Sequence, residues 1–132
     1  DPMADYVTLP SNVDAAKELL SSSVTMDDED VIQVGKNYIT LISEGDVDTW
    51  YIANCINLNV DGFYIMDFLH RVDKNENLKL KYPEKDDIDD LKQVSIVTCN
   101  IDGEWDISKE RNMTYTLKNH TYISQWIYEF LN

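Results

Sequence analysis

Three runs of β-branched and aromatic residues, separated by turn sequences, constrain what this chain can fold into. They span residues 36–43, 49–58 and 63–70. A polar loop over residues 44–48 separates the first two, and the turn before the third ends in Gly62, which supplies the positive φ that a tight hairpin needs. We therefore predict a meander of three antiparallel strands over residues 36–70.

The same runs predict the core, because successive side chains of a strand point to opposite faces. One face of the second run and one face of the third are apolar. The core candidates are Tyr51, Ala53 and Cys55 on the second run and Tyr64, Met66 and Phe68 on the third.

Further elements are predicted on both sides of this meander. Before it, an Asn-Val-Asp start and apolar residues at helical spacing predict a helix over residues 12–22. After it, alternation with lysines predicts an edge strand over 78–82, and β-branched residues predict a strand over 94–99. A short strand over 113–117 precedes a C-terminal helix from Asn119, whose apolar stripe is Ile123, Trp126, Ile127, Phe130 and Leu131.

The charge balance narrows the range of partners. The 132 residues include 25 Asp and Glu against 11 Lys and Arg, a formal net charge of −14. Phosphate backbones are repelled by such a surface, so direct nucleic-acid binding is not expected. Three interpretations stay open: a landing site for a basic protein segment, a mimic of DNA phosphates in an inhibitor of phage or immunity type, and a merely solvating surface.

Cysteine usage and hydropathy indicate an intracellular protein. Cys55 and Cys99 stand alone in apolar runs, which favours buried free thiols in a reducing compartment, although a disulfide between them is the alternative. No run approaches the ~18 apolar residues of a membrane span, and the N-terminus lacks a secretion signal.

Short strands with tight turns are the pattern of an SH3-like barrel, and four segments carry a closer resemblance. They are Val34-Gly35-Lys36, Thr49-Trp50-Tyr51-Ile52-Ala53, the run from Gly62 to Leu69, and the run from Tyr82 to Ile88. Across residues 34–98 the chain resembles Tudor-type chromatin-associated domains. The resemblance implies a nuclear protein that holds a methylated Lys or Arg in an aromatic cage. Tyr51 falls on a cage position, but the other positions fall near Ile42, Asp67 and His70, so the cage is incomplete.

The resulting site hypothesis is a small polar and aromatic pocket. Tyr51, Asp67 and His70 would bind a cation, with the carboxylate pairing it and the ring stacking on it. Trp50, on the opposite face from Tyr51, would add a contact surface. The structural alternative is that Tyr51 and Trp50 pack and that His70 is a surface residue at a strand end.

Catalysis has weak support in the sequence. His70, Cys99 and Arg111 are the constellation worth testing, because the strand ending at Cys99 resembles the nucleophile strand of sortase-type transpeptidases. A core thiol is the favoured interpretation of Cys99. Two distant His and two distant Cys predict no zinc site, and the isolated glycines form no phosphate cradle, so no cofactor is expected.

Together these patterns predict a mostly β protein with flanking helices and no enzymatic activity. We expect one domain over residues 1–132: a helical segment over 11–33, an SH3-like antiparallel barrel over 34–99, and a final strand with a closing helix over 100–132. Its predicted function is to bind a basic protein segment.

Overall fold

A computed structural model of the chain describes residues 10–20, 31–59, 61–72, 79–97, 103–106 and 114–117. It contains one α-helix, α1 (Val13–Leu20), whose first turn is capped by Asn12, because the Asn12 Oδ1 accepts the Ala15 N–H at 2.8 Å. The described strands are β1 (Asn37–Glu44), β2 (Val47–Leu58), β3 (Tyr64–Phe68), β4 (His70–Arg71), β5 (Lys79–Lys81), β6 (Ile88–Leu91), β7 (Ile96–Val97), β8 (Gly103–Asp106) and β9 (Thr114–Leu117).

These strands form two antiparallel sheets. The first has five strands in the order β6-β3-β2-β1-β7, and the second has four in the order β4-β5-β9-β8. Two tight turns organise the first sheet. Gly45 takes a φ of 63° between β1 and β2, and Gly62 takes a φ of 84° between β2 and β3, where the Asn59 side chain accepts the backbone N–H groups of Asp61 and Phe63.

The chain passes from one sheet to the other at Leu69. β3 ends at Phe68 and β4 begins at His70, so a single extended segment serves both sheets. At the crossing, the Leu69 N–H donates to the Ile52 carbonyl at 2.9 Å, and the Leu69 side chain is buried. The end of β3 and the start of β4 are therefore held against the middle of β2.

Strand β2 is buried on both of its faces. Trp50 and Ile52 are covered on one face, while Ala53 and Cys55 are covered on the other. The second of these faces belongs to a cluster of buried side chains, which we call the main core: Ile32, Tyr38, Ala53, Cys55, Met66, Phe68, Leu91 and Ile96, with Ile42, Tyr51 and Tyr64 packed against it. On the first sheet, α1 lies beside β7.

The predicted meander and its core are confirmed. β1, β2 and β3 pair as neighbours in the expected antiparallel order. Four of the core candidates are fully or almost fully buried, and Tyr51 and Tyr64 pack partly buried against the same cluster. Alternation along each strand was sufficient to locate these residues because it is a local property of extended backbone.

The predicted SH3-like barrel with a helix on each flank is wrong. Within the described ranges the strands form two open sheets, neither of which closes, and α1 is the single short α-helix. The three-stranded meander does not close into a barrel, because the chain beyond Leu69 pairs in the second sheet. The residues of the predicted C-terminal helix lie outside the described part of the chain.

One strand prediction also needs correction. The lysine-bearing strand was expected at an edge, but β5 lies between β4 and β9. The acidic stretch over residues 84–90 is mostly exposed, and its last residues belong to β6, which pairs with β3. Among the described helices, none is long and apolar enough to cross a membrane.

The main core makes a direct prediction about stability. Met66 has an exposure of 0%, so Met66→Ala should lower the free energy of unfolding by about 2–5 kcal/mol, through lost burial and the cavity left behind. Val94, at 77% exposure, provides the control. Val94→Ala should change the free energy by less than about 0.5 kcal/mol. Urea unfolding followed by tryptophan fluorescence measures both, and equal effects would show that Met66 is not a core residue.

Candidate functional site

The aromatic part of the candidate site lies where the chain crosses between the sheets. The Tyr51 ring on β2 is 5.5 Å from the Phe68 ring, in an edge-to-face arrangement, and 5.7 Å from the His70 ring. Phe68 is buried in the main core, while Tyr51 and His70 are partly exposed. Tyr51 therefore covers the rim of the core with one side of its ring and adjoins a polar group with the other.

His70 is held by a carboxylate from the segment that leads into β6. Its Nε2 lies 2.7 Å from the Asp87 Oδ2. Asp87 is itself placed by the first sheet, because its backbone carbonyl accepts the Phe68 N–H at 2.9 Å. The pair links the start of the second sheet to the edge of the first. Both side chains are partly exposed, so its contribution is to orient the imidazole rather than to add much stability.

Asp67 carries an electrostatic signature of crowded negative charge. Partial burial raises the pKa of its carboxyl above the ordinary value, and the nearby carboxylates Asp86 and Asp87 raise it further. The negative charges of these three carboxylates repel one another. A cation placed among them would relieve that repulsion.

Tyr82 extends the same acidic neighbourhood. Burial, and then the negative charge of Asp67, raise the pKa of the Tyr82 hydroxyl to about 12. The phenol therefore stays protonated to a higher pH than an ordinary tyrosine does. An aromatic ring, a phenol hydroxyl and several carboxylates thus share this region.

The structure brings together some of the predicted site residues and separates another. Tyr51 and His70 are in ring contact, and Asp67 lies next to Phe68 on the same strand, where it interacts with the acids around Asp87. Trp50 lies on the other face of β2, only 3% exposed, and its buried Nε1 has no hydrogen-bond partner in the described part of the chain. Its packing interpretation is therefore confirmed.

Asp87 and Tyr82 are the residues of this region that sequence reasoning missed. Both lie in the Tyr82 to Ile88 segment, where the acids looked like solvated surface. Asp87 reaches His70 because β6 runs antiparallel to β3. That pairing joins positions 17 residues apart in the chain, and no local pattern indicates it.

The cysteine among the described residues, Cys55, is not a member of the catalytic constellation expected from the sequence. Cys55 is a free, buried thiol, and burial raises its pKa, which makes it a poor nucleophile at neutral pH. Cys99 and Arg111 lie outside the described residues, so their relation to His70 stays a prediction. Within the described ranges, no group of three or more His, Cys, Asp or Glu is arranged to hold a metal ion.

Comparison of the chain with protein-family models, with curated proteins and with solved structures finds no match. Function must therefore be inferred from the geometry and charge of the site itself.

The link between Asp67 and Tyr82 can be tested by titration. Asp67→Asn should lower the pKa of Tyr82 from about 12, because the neighbouring negative charge is gone. The pKa should stay above the ordinary 10.0, since burial is the larger cause. NMR of ring-labelled tyrosine follows the hydroxyl. Asp46→Asn, in the exposed β1–β2 turn, is the charge-matched control, and a Tyr82 pKa that moved equally in both variants would contradict a specific contact.

The raised pKa of Asp67 also predicts how stability depends on pH. A carboxyl whose pKa is higher in the folded state binds its proton more tightly there, so ionising it costs stability as pH rises. Asp67→Asn should therefore stabilise the fold at pH 7, by less than about 1 kcal/mol since solvent screens a partly exposed group. The gain should disappear below the ordinary Asp pKa of 3.8. Thermal unfolding at the two pH values measures it, and an equal gain at both would show that charge is not the cause.

Proposed function

We propose that this protein is an interaction module that binds a Lys- or Arg-rich segment of another protein, with Tyr51, Asp67 and His70 as its specific contacts. The observation that carries the proposal is the crowding of the Asp67, Asp86 and Asp87 carboxylates, of which Asp87 lies on His70, whose ring contacts that of Tyr51. Carboxylates and an accessible aromatic ring are the two groups that attract a Lys or Arg head group.

Electrostatics supports this choice of partner over an acidic or a neutral one. The chain carries a net charge of −14, which repels anions and speeds the approach of cations. Partial burial is the main cause of the raised pKa of Asp67, and the neighbouring charges of Asp86 and Asp87 add an unfavourable local excess of negative charge. A bound cation would offset that excess, so part of the binding free energy would come from repulsion already present in the free protein.

The aromatic contacts favour a defined position for that cation over diffuse attraction. Tyr51 is fixed against Phe68, and the hydrogen bond to Asp87 orients His70. A cation in this region would meet a ring that is already in place, which lowers the entropy lost on binding.

The setting and the partner follow from chemistry. The free, buried thiol of Cys55 supports a reducing, intracellular compartment. The proposal defines the partner by its positive charge, because the barrel that pointed to chromatin is not the fold.

The proposal predicts a salt-sensitive interaction that depends on Tyr51. A fluorescent Lys/Arg-rich peptide should bind at low ionic strength and weaken as salt screens the carboxylates. Tyr51→Ala should weaken binding by about 0.5–2 kcal/mol, the range of a cation–π contact. Fluorescence anisotropy measures both effects.

Two variants serve as controls for this assay. Tyr51→Phe keeps the ring and should retain most of the affinity. Asp46→Asn removes one charge from the distant β1–β2 turn and should have a smaller effect than Asp67→Asn. A peptide affinity that changed neither with salt concentration nor in the Tyr51→Ala variant would refute the proposal.

A further inference from the structure

Among the described residues, strand β6 (Ile88–Leu91) forms one edge of the five-stranded sheet. Its pairing register with β3 sets Ile88 opposite Asp67 and Leu91 opposite Tyr64. An edge strand has backbone N–H and C=O groups on one side that pair with no neighbour in the sheet. Which residues present these groups follows from the hydrogen-bond pattern.

The outward-facing groups of β6 belong to Ile88 and Asp90. Hydrogen-bonded residues alternate along an antiparallel ladder, and the Asp87 carbonyl accepts the Phe68 N–H at 2.9 Å. Asp89 and Leu91 therefore also bond towards β3. Ile88 and Asp90, between them, direct their N–H and C=O groups away from the sheet.

One of these outward groups is covered by the protein's own carboxylate. The Asp89 Oδ1 lies 2.8 Å from the backbone nitrogen of Asp90 and accepts its N–H. The Asp90 carboxylate in turn accepts a long hydrogen bond from the Asn59 Nδ2 at 3.5 Å. Asp89 thus occupies a donor that an added strand would need, and a cation that drew this carboxylate aside would expose the donor.

Charge determines which kind of strand fits this edge. A second copy of β6 would set Asp89 and Asp90 against the same acids, and like charges on neighbouring strands are destabilising. A basic strand would instead place positive side chains beside Asp87, Asp89 and Asp90. The acidic stretch ends at Lys92, whose Nζ already lies 5.6 Å from the centre of the Phe63 ring.

We propose that an extended Lys- or Arg-containing segment of a partner protein adds to β6 as a further strand of the sheet. Its backbone bonds to Ile88 and Asp90, and one of its cations takes the Asp89 carboxylate away from the Asp90 N–H. An apolar residue of the segment packs on Ile88, which is 45% exposed. This inference rests on the proposed function and specifies its binding mode.

The β6 edge adjoins the candidate site, so a single peptide segment can contact both of them. Asp87 immediately precedes β6 and holds His70, which contacts Tyr51. The four residues of β6 span about 14 Å at roughly 3.4 Å per residue. An extended segment that pairs with β6 and continues past Ile88 therefore comes next to Asp87, the residue whose carboxylate is hydrogen-bonded to His70.

The test uses the full chain and a synthetic peptide of alternating lysine and valine, about eight residues long so that it covers β6 with overhang. Ile88→Pro removes an outward-facing N–H, which is a position where proline is compatible with an edge strand. We expect it to weaken peptide binding about tenfold, whereas Ile88→Val, which keeps the N–H and removes only one methylene from the apolar contact, should weaken binding much less. Hydrogen exchange at the Ile88 amide should slow when the peptide is bound.

A second measurement leaves the protein unaltered, so it stands even if Ile88→Pro fails to fold. The same peptide N-methylated on the residues that would pair with β6 keeps its charge but cannot complete the backbone ladder. It should bind about tenfold more weakly than the parent peptide.

The outcomes separate the binding mode from the proposed function. Equal, salt-sensitive binding of both peptides, with no slowing of exchange at Ile88, would overturn strand addition while supporting capture of a basic segment. No binding of either peptide at low salt would overturn both proposals.

Discussion

The burial of β2 on both faces is the constraint on which the rest of the structure depends. Trp50 and Ile52 need cover on one side, and Ala53 and Cys55 need it on the other. A strand with apolar residues on both faces cannot lie on the outside of a sheet, so β1 and β3 pair on either edge of it. The second sheet begins just past Leu69, and the Leu69 N–H donates to the Ile52 carbonyl of β2, so this crossing is also fixed by β2.

The candidate site is a consequence of that crossing. Where β3 gives way to β4, the backbone leaves the first sheet, and Tyr51 and His70 meet at the rim of the main core. The segment that returns along β3 as β6 brings Asp87 to His70 and the charge of Asp86 near Asp67. Anionic and aromatic groups are therefore concentrated beside a sheet edge, although they come from three separate parts of the chain.

The accuracy of the sequence predictions follows the range of the interactions involved. The meander and its core were predictable because alternation and turn residues act within a few positions, as at Gly62 and Met66. The barrel was not, because closure depends on which distant strands pair. β5 illustrates the difference: its lysines suit an edge, yet β4 and β9 flank it. Tyr51, Asp67 and His70 could be nominated from their residue types, whereas Asp87 could not.

By itself, the sequence determined the three-stranded meander, the apolar face of each of its later strands and the strong negative charge, because these depend on local spacing and on composition. Tertiary structure alone decided that the strands divide into two open sheets, that Trp50 is buried while Tyr51 reaches the rim, and that Asp87 meets His70. The physical reason is that these outcomes depend on strand pairing between distant segments. The free energy of such pairing comes from burying whole faces against one another, and no single run of residues contains it.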